Sequence, residues 1–463
     1  MDRFATKMKA RGLSDAAIDA FRSNYDQLIT GNDGLVPESS IEGVTTLPSL
    51  ESVAAPAGPD DLKELLAKTA VVKLNGGLGT SMGLEKAKSL LPVKDGKTFL
   101  DLIAEQIVHT RSEFGSNVRF ILMNSFSTSA DTWSFLREKH PSLAKEEDVE
   151  LMQNSSCKVD AETLAPVEFP ENPDMEWAPP GHGDIYAALV GSGMLDNLLS
   201  QGVEYVFVSN SDNLGATLDL SLLSHFAESG YSFMMEVCKR TASDKKGGHL
   251  ARRKSDGRLI LRESAMCADG DKAAFENIEL HSYFNTNNLW LNLKILKSTL
   301  AASGGTLNLP LIKNKKTVNP RDPSSRPVFQ LETAMGSAIE CFDNAAAIEV
   351  PRTRFAPVKT CNDLFTLRSD AYIITERSTV TLASAGPDAV APFVKLDDKH
   401  YKLVDNMDAL VSEPPSLLRC KSLVVKGPVE FGPGVTIVGS VTLVAEEKTR
   451  VQNRTFEDVE LTL

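Results

Sequence analysis

VVKLNGGLGTSMGLEKAKSLLPV (71–93) runs from a β-branched strand into four glycines within eight residues, then reaches lysines at 86 and 88 and a further apolar run. A glycine-rich turn after a strand lets backbone N–H groups approach a phosphate, because no Cβ stands in the way. Its spacing departs from two familiar phosphate binders. A P-loop needs G-x-x-x-x-G-K-[ST], yet five residues on from Gly76, Gly77 and Gly79 stand Ser81, Met82 and Leu84. A dinucleotide fingerprint needs G-x-G-x-x-G, and after Gly77 and Gly79 the third glycine position holds Met82. Nor does an acidic residue close a second strand about 20 residues on. A P-loop ATPase is excluded and an oxidoreductase is disfavoured. A purely structural turn needs neither four glycines nor Lys88.

Outward from this loop, short β-branched or aromatic runs alternate with helical stretches. The runs are AVVKL (70–74), VRFILMN (118–124), YVFVSN (205–210) and SFMMEV (232–237); the helical stretches include 99–113, 131–139 and 184–199. Such alternation predicts an α/β fold with a largely parallel sheet. RLILRES, SYFNTNNLWLNL and AAIEVPRTR add later strands and make the sheet mixed. Residues 1–31 have helical apolar spacing (Phe4, Met8, Ile18, Phe21, Tyr25, Leu28), 32–60 form a Pro/Gly/Ser-rich connection, and 61–68 a short helix.

The C-terminal section follows another rule. Leu423, Val429, Val435 and Val441 recur every six residues, and Val425, Phe431, Ile437 and Leu443 follow two behind, with Gly427, Pro433 and Gly439 at the turns. A six-residue period with paired inward positions predicts a left-handed parallel β-helix with rungs at about 421–445. The expected organisation is a helical segment and linker at 1–60, a catalytic domain at 61–375 and a C-terminal domain at 376–463.

The chain has 463 residues, 42% of them hydrophobic, so two or three domains with a substantial core are expected. No apolar run approaches the roughly 18–20 residues of a membrane span. The first 21 residues show helical periodicity and mixed charge rather than a signal peptide's apolar core. The six cysteines are scattered without a C-x-x-C pair, which argues for free thiols in a reducing compartment. A net charge of −13 disfavours nucleic acid and anionic membranes as partners. Basic runs at 244–254 and 313–316 are solvated faces or seats for a small polyanion. A cytoplasmic location is expected, and the terminal Leu-Thr-Leu is not the Ser-Lys-Leu peroxisomal address.

The glycine loop fits a nucleotidyltransferase signature: a strand, L-x-G-G-x-G-T-x-(x)-G, then a lysine shortly before a proline. Here these are Leu74 to Gly83, Lys88 and Pro92. The glycine backbone would wrap a nucleoside triphosphate, with Lys88 beside the α-phosphate. KLNGGLGTSMG with Lys88-Ser89 resembles the UDP-glucose pyrophosphorylase (UTP–glucose-1-phosphate uridylyltransferase) family. So do NPDMEWAPPGHGDIYAAL (172–189), YVFVSNSDNLGATLD (205–219), FMMEVCKRTASDKKGGHL (233–250), YFNTNNLW (283–290), FQLETAMGSAI (329–339) and RFAPVKTCNDL (354–364). The likeness covers essentially the whole chain in the family's order. EWAPPGHGDIY and SDKKGGHLAR are closest to its protozoan, trypanosomatid-like branch. One departure stands out: where the family often has C-K-G-P-K, this chain has L-E-K-A-K at 84–88 and keeps only the last lysine.

The resemblance implies a Rossmann-like, GT-A-like central mixed sheet with flanking helices. It implies that the chain makes UDP-glucose and pyrophosphate, reversibly, from UTP and glucose 1-phosphate with Mg²⁺. Such a transfer depends mainly on positioning and charge neutralisation. Lys88, Asp212 and Lys359 would be catalytic. Asp212 follows the strand YVFVSN, where α/β sites form. On spacing alone it is equally a turn residue or a ligand of a hard cation; the resemblance assigns it to the metal. By the same resemblance, Leu74, Asn75, Gly76 and Gly77 with Gln153 and Gly181 would hold the uridine, with Lys88, Asp212 and Lys359 on the UTP phosphates. His182 would meet the sugar phosphate, and Asn210, Glu263, Asn285 and Asn287 the sugar hydroxyls. Asn is depleted in strands, so the Asn285–Asn288 run favours a binding role. Lys359 is expected to share a strand with Arg352 and Arg354 that ends in a proline bend, and 245–248 to form a loop near the sugar.

Two alternatives remain. A UDP-N-acetylhexosamine or broad UDP-sugar pyrophosphorylase usually carries Arg where this chain has Ser81. A silent nucleotide-binding scaffold is opposed by the joint presence of Lys88, His182, Asp212 and Lys359. A monomer is expected, because the predicted solenoid is short.

Overall fold

The computed structural model describes residues 1–31, 34–56, 58–241, 244–384 and 390–463. Ten strands among the described residues make the central sheet. In chain order they are β1 (Ile41–Gly43), β2 (Thr69–Leu74), β3 (Arg119–Asn124), β4 (Glu150–Met152), β5 (Tyr205–Asn210), β6 (Phe233–Lys239), β7 (His249–Arg253), β8 (Leu259–Arg262), β9 (Tyr283–Asn292) and β10 (Ala345–Glu349). β2 pairs in parallel with β3 on one side and β5 on the other, and β4 continues in parallel beyond β3. β9 joins antiparallel to β5 and β6, and β10 runs parallel to β6. The sheet is mixed, as the sequence pattern predicts.

After β2 the chain builds outward through β3 and β4, then returns to place β5 on β2's other side. Strand order therefore reverses at β2, and a crevice opens outside the carboxyl ends of β2 and β5. The glycine loop leaves β2 at that point, and Asp212 follows β5 there.

β2 is buried on both faces, as a central parallel strand requires. Val71 packs with Phe120, Phe207 and the helix Phe99–Phe114 on one side. Val72 packs with Val206, Val208 and the helices Ile185–Gly191 and Met194–Ser200 on the other. The stretch 184–199 is thus two helices rather than one, broken at Gly193, which has a φ of +76°. The connecting stretch 32–60 contributes more than a link. Ile41 and Val44 are buried, and β1 pairs antiparallel with β7.

β10 ends at Glu349, because Pro351 has no N–H to continue the ladder. Arg352 and Arg354 consequently lie on a 3₁₀ turn, Arg352–Arg354, and not on a strand. The C-terminal strands Phe393–Lys395, Ser416–Lys426, Thr436–Val444, Thr455–Glu457 and Glu460–Thr462 stack in parallel. Leu423 lies beside Val441 and Val425 beside Leu443, and all eight residues of the six-residue pattern are buried. Their apolar cluster also takes in Met82, Leu91, Val93, Leu214, Val358 and Phe365, so it reaches under the glycine loop.

Candidate active site

The glycine loop is pinned at its base and open at its crest. Asn75 N–H donates to the Met123 carbonyl at 2.7 Å, and Ser125 Oγ–H to the Gly76 carbonyl at 2.9 Å. The Asn75 side chain is buried against Asn124 and Thr132, so only its backbone remains for a ligand. Gly77 is exposed, and a Cβ there would meet nothing within 4 Å. The 3₁₀ turn Thr80–Met82 lies between Gly79 and Gly83, at φ +68° and +80°. The chain then folds back, and Lys88 N–H donates to the Gly77 carbonyl at 3.0 Å.

That return delivers Lys88 to Asp212. Lys88 Nζ lies 2.7 Å from Asp212 Oδ2, and Lys359 Nζ lies 2.9 Å from the same oxygen and 3.2 Å from Oδ1. Burial alone would raise the Asp212 carboxyl; the two ammonium groups, Lys359 ahead of Lys88, hold it below its ordinary value. Lys359 is brought in by backbone pairing: Val358 N–H donates to the Asp212 carbonyl at 3.0 Å, and Asn213 bridges to Pro357. Ser211 N–H donates to the Leu74 carbonyl at 3.1 Å, which fastens this arm to the glycine loop.

A second turn faces the loop. Gln153 Nε2 donates to the Gly181 carbonyl at 3.1 Å. A Cβ on Gly76 would stand 3.0 Å from Gln153 Oε1, so the Gln153 amide reaches both the glycine loop and the Pro179–Gly183 turn. Gly181 has a φ of +80°, and a Cβ there would lie 2.4 Å from the Thr333 carbonyl oxygen. His182 accepts from Met335 N–H through Nδ1 at 2.9 Å, which leaves the ring proton on Nε2. Burial, then the charge of Lys359, lowers its pKa to about 4, so the imidazole is neutral near pH 7.

The third group lies across Gly336. A Cβ on Gly336 would stand 3.0 Å from Asn285 Nδ2, so the Met335–Gly336 turn links His182 to the asparagines. Asn285 and Asn287 bond each other, side chain to side chain at 2.8 Å and Asn287 N–H to Asn285 Oδ1 at 2.9 Å. The pairing of β6 with β9 shifts register here, and Asn287 has a φ of +58°. The unusual asparagines thus have a local cause: they build a bulge that turns two amides toward the crevice. Glu263 packs against Gly248, where a Cβ would lie 2.4 Å from its Oε2, and burial raises its carboxyl. Asn285 N–H donates to the Gly248 carbonyl at 3.2 Å, so Glu263 and Asn285 meet across that glycine. Asn210, the last residue of β5, pairs with Leu74 at the top of β2. The loop at 245–248 is tethered from below, because Arg240 donates to the Asp244 and Lys245 carbonyls at 3.2 and 2.7 Å.

The structure thus gathers the expected residues around one crevice in three contacting groups. It also places there residues that the sequence reading passed over. Glu236, wholly buried, receives Arg354 at 2.7 and 2.8 Å, Trp290 at 3.0 Å and Asn288 at 3.0 Å. Asp184 accepts from Asn154 N–H at 2.7 Å and from its side chain at 3.0 Å; burial raises it to about 7. Lys73 is buried beneath the Asp212 turn. A lysine in a run as apolar as AVVKL was the available signal. Among the described residues no group of three or more His, Cys, Asp and Glu side chains gathers to hold a metal. Asp212 is the carboxylate on which the two ammonium groups meet. That donor set fits Mg²⁺, which is commonly held by one or two carboxylates and completed by substrate phosphates.

Comparison with known proteins gives a consistent result. The family model described as UTP–glucose-1-phosphate uridylyltransferase matches residues 18–438. The UTP–glucose-1-phosphate uridylyltransferase of Saccharomyces cerevisiae is 37% identical over 452 residues, covering 95% of this chain and 88% of that one. The enzyme of that name from Encephalitozoon cuniculi is 40% identical over 396 residues, covering 86% and 77%. Among solved structures, a mutant of UDP-glucose pyrophosphorylase from Leishmania major in complex with UDP-glucose superposes with a TM-score of 0.93 at 45% identity, covering 100% and 99%. A UDP-glucose phosphorylase from Trypanosoma brucei gives 0.90 at 46%, again covering 100% and 99%.

Proposed function

Because the chain belongs to the UTP–glucose-1-phosphate uridylyltransferase family, we propose that its switch-point crevice joins UTP to glucose 1-phosphate through the three groups of side chains described above. The reaction makes UDP-glucose and pyrophosphate and runs in both directions. A phosphate oxygen of glucose 1-phosphate bonds to the α-phosphorus of UTP as the bond to the β-phosphate oxygen breaks. Pyrophosphate leaves with that electron pair, and no proton need move.

The observation that carries this reading is the meeting of Lys88 and Lys359 on Asp212 at the end of β5. Their ammonium groups would turn to the phosphates, where charge is redistributed in the transition state. Mg²⁺, when bound, would neutralise phosphate oxygens, and Asp212 is the residue that would hold it. Gln153, with its amide N–H engaged by Gly181, has Oε1 available to accept from uracil N3–H, and the backbone of Leu74 to Gly77 covers the base. Neutral His182 would donate from Nε2 to the sugar phosphate. Asn210, Glu263, Asn285 and Asn287 would take the sugar hydroxyls.

We read the C-terminal stack as a left-handed β-helix, with domains at 1–60, 61–375 and 376–463. Parallel pairing at an offset of three hexads, as in Leu423 beside Val441, supports it. We place the chain as a monomer in the cytoplasm. Its six cysteines are unpaired, and no helix among the described residues is long and apolar enough to cross a membrane.

The deciding experiment measures pyrophosphate release from UTP with Mg²⁺ and glucose 1-phosphate, with galactose and N-acetylglucosamine 1-phosphates in parallel. Release with glucose 1-phosphate alone supports this assignment. Comparable release with the others makes it a broad UDP-sugar enzyme. UTP binding without release from any sugar makes it a binding scaffold.

A further inference from the structure

Lys73 stands on β2 one residue before Leu74, and only 3% of it is exposed. A cation inside a sheet is costly where an aliphatic residue would pack instead, and its neighbours Val71 and Val72 are aliphatic. Burial, with a smaller push from Arg354 and an opposing pull from Glu236, brings its pKa down to about 7. Its Nζ donates to Ser209 Oγ at 2.8 Å and to the Ala216 carbonyl at 2.6 Å, and lies 5.7 Å from the Phe207 ring centre. Ser209 and Ala216 are the two ends of the arc that carries Asp212.

The same arc is fastened from its far side. Asn213 Oδ1 accepts from Gly215 N–H at 3.2 Å and Ala356 N–H at 2.9 Å, and its amide donates to the Arg354 carbonyl at 3.1 Å. The bonds to Ala356 and Arg354 tie the arc to the segment that bears Lys359. Lys73 ties it to β2 and the glycine loop.

We propose that Lys73 is a positioning residue, whose ammonium draws the ends of the Ser209–Ala216 arc together and so fixes the Asp212 carboxylate between Lys88 and Lys359. The inference rests on Asp212 belonging to the reacting machinery. Its partners are a hydroxyl and a carbonyl, so replacing the ammonium with an isosteric aliphatic chain removes a buried charge without orphaning another. A merely structural lysine would lower stability and leave turnover alone when removed; a positioning one does the opposite.

The test compares the full-length enzyme with K73M, S209A, the double variant and D212A, reading Tm together with kcat and KM for UTP. K73M should lower kcat by at least about tenfold, leave KM for UTP within about threefold and keep Tm at or above the parent's. S209A should lower kcat a few-fold, and the double variant should be no worse than K73M, because both changes remove one bond. K73M turning over within about twofold of the parent while D212A is inactive overturns the inference. If K73M does not fold, S209A decides, and unchanged kcat overturns it. An active D212A overturns the reading of Asp212, and this inference with it.

Discussion

Three side chains from distant parts of the chain make the charged heart of the crevice, and its two lysines answer to one kinetic test. Lys88→Ala or Lys359→Ala should cost about 100-fold or more in kcat, with a smaller change in KM, if each ammonium acts on charge that develops in the transition state. Steady-state kinetics with UTP and glucose 1-phosphate would decide, and a kcat within about twofold of the parent would remove that lysine from the mechanism. Asp184 makes a prediction about stability. Its folded pKa of about 7 lies above the ordinary 3.8. The folded state therefore keeps a proton that the unfolded chain gives up, and the contribution is fully present only below about pH 4. It is lost as pH rises through about 7. Urea midpoints of the parent and Asp184→Asn should thus diverge between about pH 4 and 7, with the parent falling relative to the variant. A constant gap across that range would show that Asp184 does not titrate there.

At the scale of the element, turns fix the site more tightly than strands do. Gly181→Ala must place a Cβ 2.4 Å from a carbonyl oxygen at a φ of +80°. We expect it to lose at least about 1–3 kcal/mol of stability and most of its turnover, because both Gln153 and His182 hang on that turn. Equal kcat in the variant would show that the turn yields without consequence. Much of this was legible in the sequence. The glycines at 76–83, the lysine at 88 and the acid after YVFVSN follow from what a phosphate needs at the end of a parallel strand. The bulge at Asn285–Asn287 was legible only as an anomaly, because strand pairing, not composition, sets its register. Arg354 looked like one of two basic residues on a strand; its partner Glu236 is 118 residues away, and no local pattern announces such a pair. The break at Gly193 was missed because apolar spacing on either side continues across it.

At the scale of the whole molecule, the C-terminal stack and the glycine loop share one apolar cluster. Met82, inside the loop, is buried with Phe431 and Ile437 in that cluster, and a Cβ on Gly83 would lie 3.2 Å from Leu403. Phe431→Ala should cost about 3–5 kcal/mol, as large-to-small changes in a packed core do. Part of that loss should appear in the loop, as faster amide exchange at residues 79–83 in hydrogen-exchange measurements. Exchange confined to the C-terminal strands would show that the two parts open independently. The six-residue repeat disclosed the stack from sequence; its reach beneath the loop was hidden, because it depends on three separated segments meeting.

The contact of Lys88 and Lys359 on Asp212 spans 124 and 147 positions of sequence. A polypeptide still emerging from the ribosome therefore has no charged trio until the last of them has cleared the exit tunnel and docked. Turnover thus waits on the last of the three segments. Two complementary fragments cut between 212 and 359 would each be inert, and would recover turnover only on reassociation.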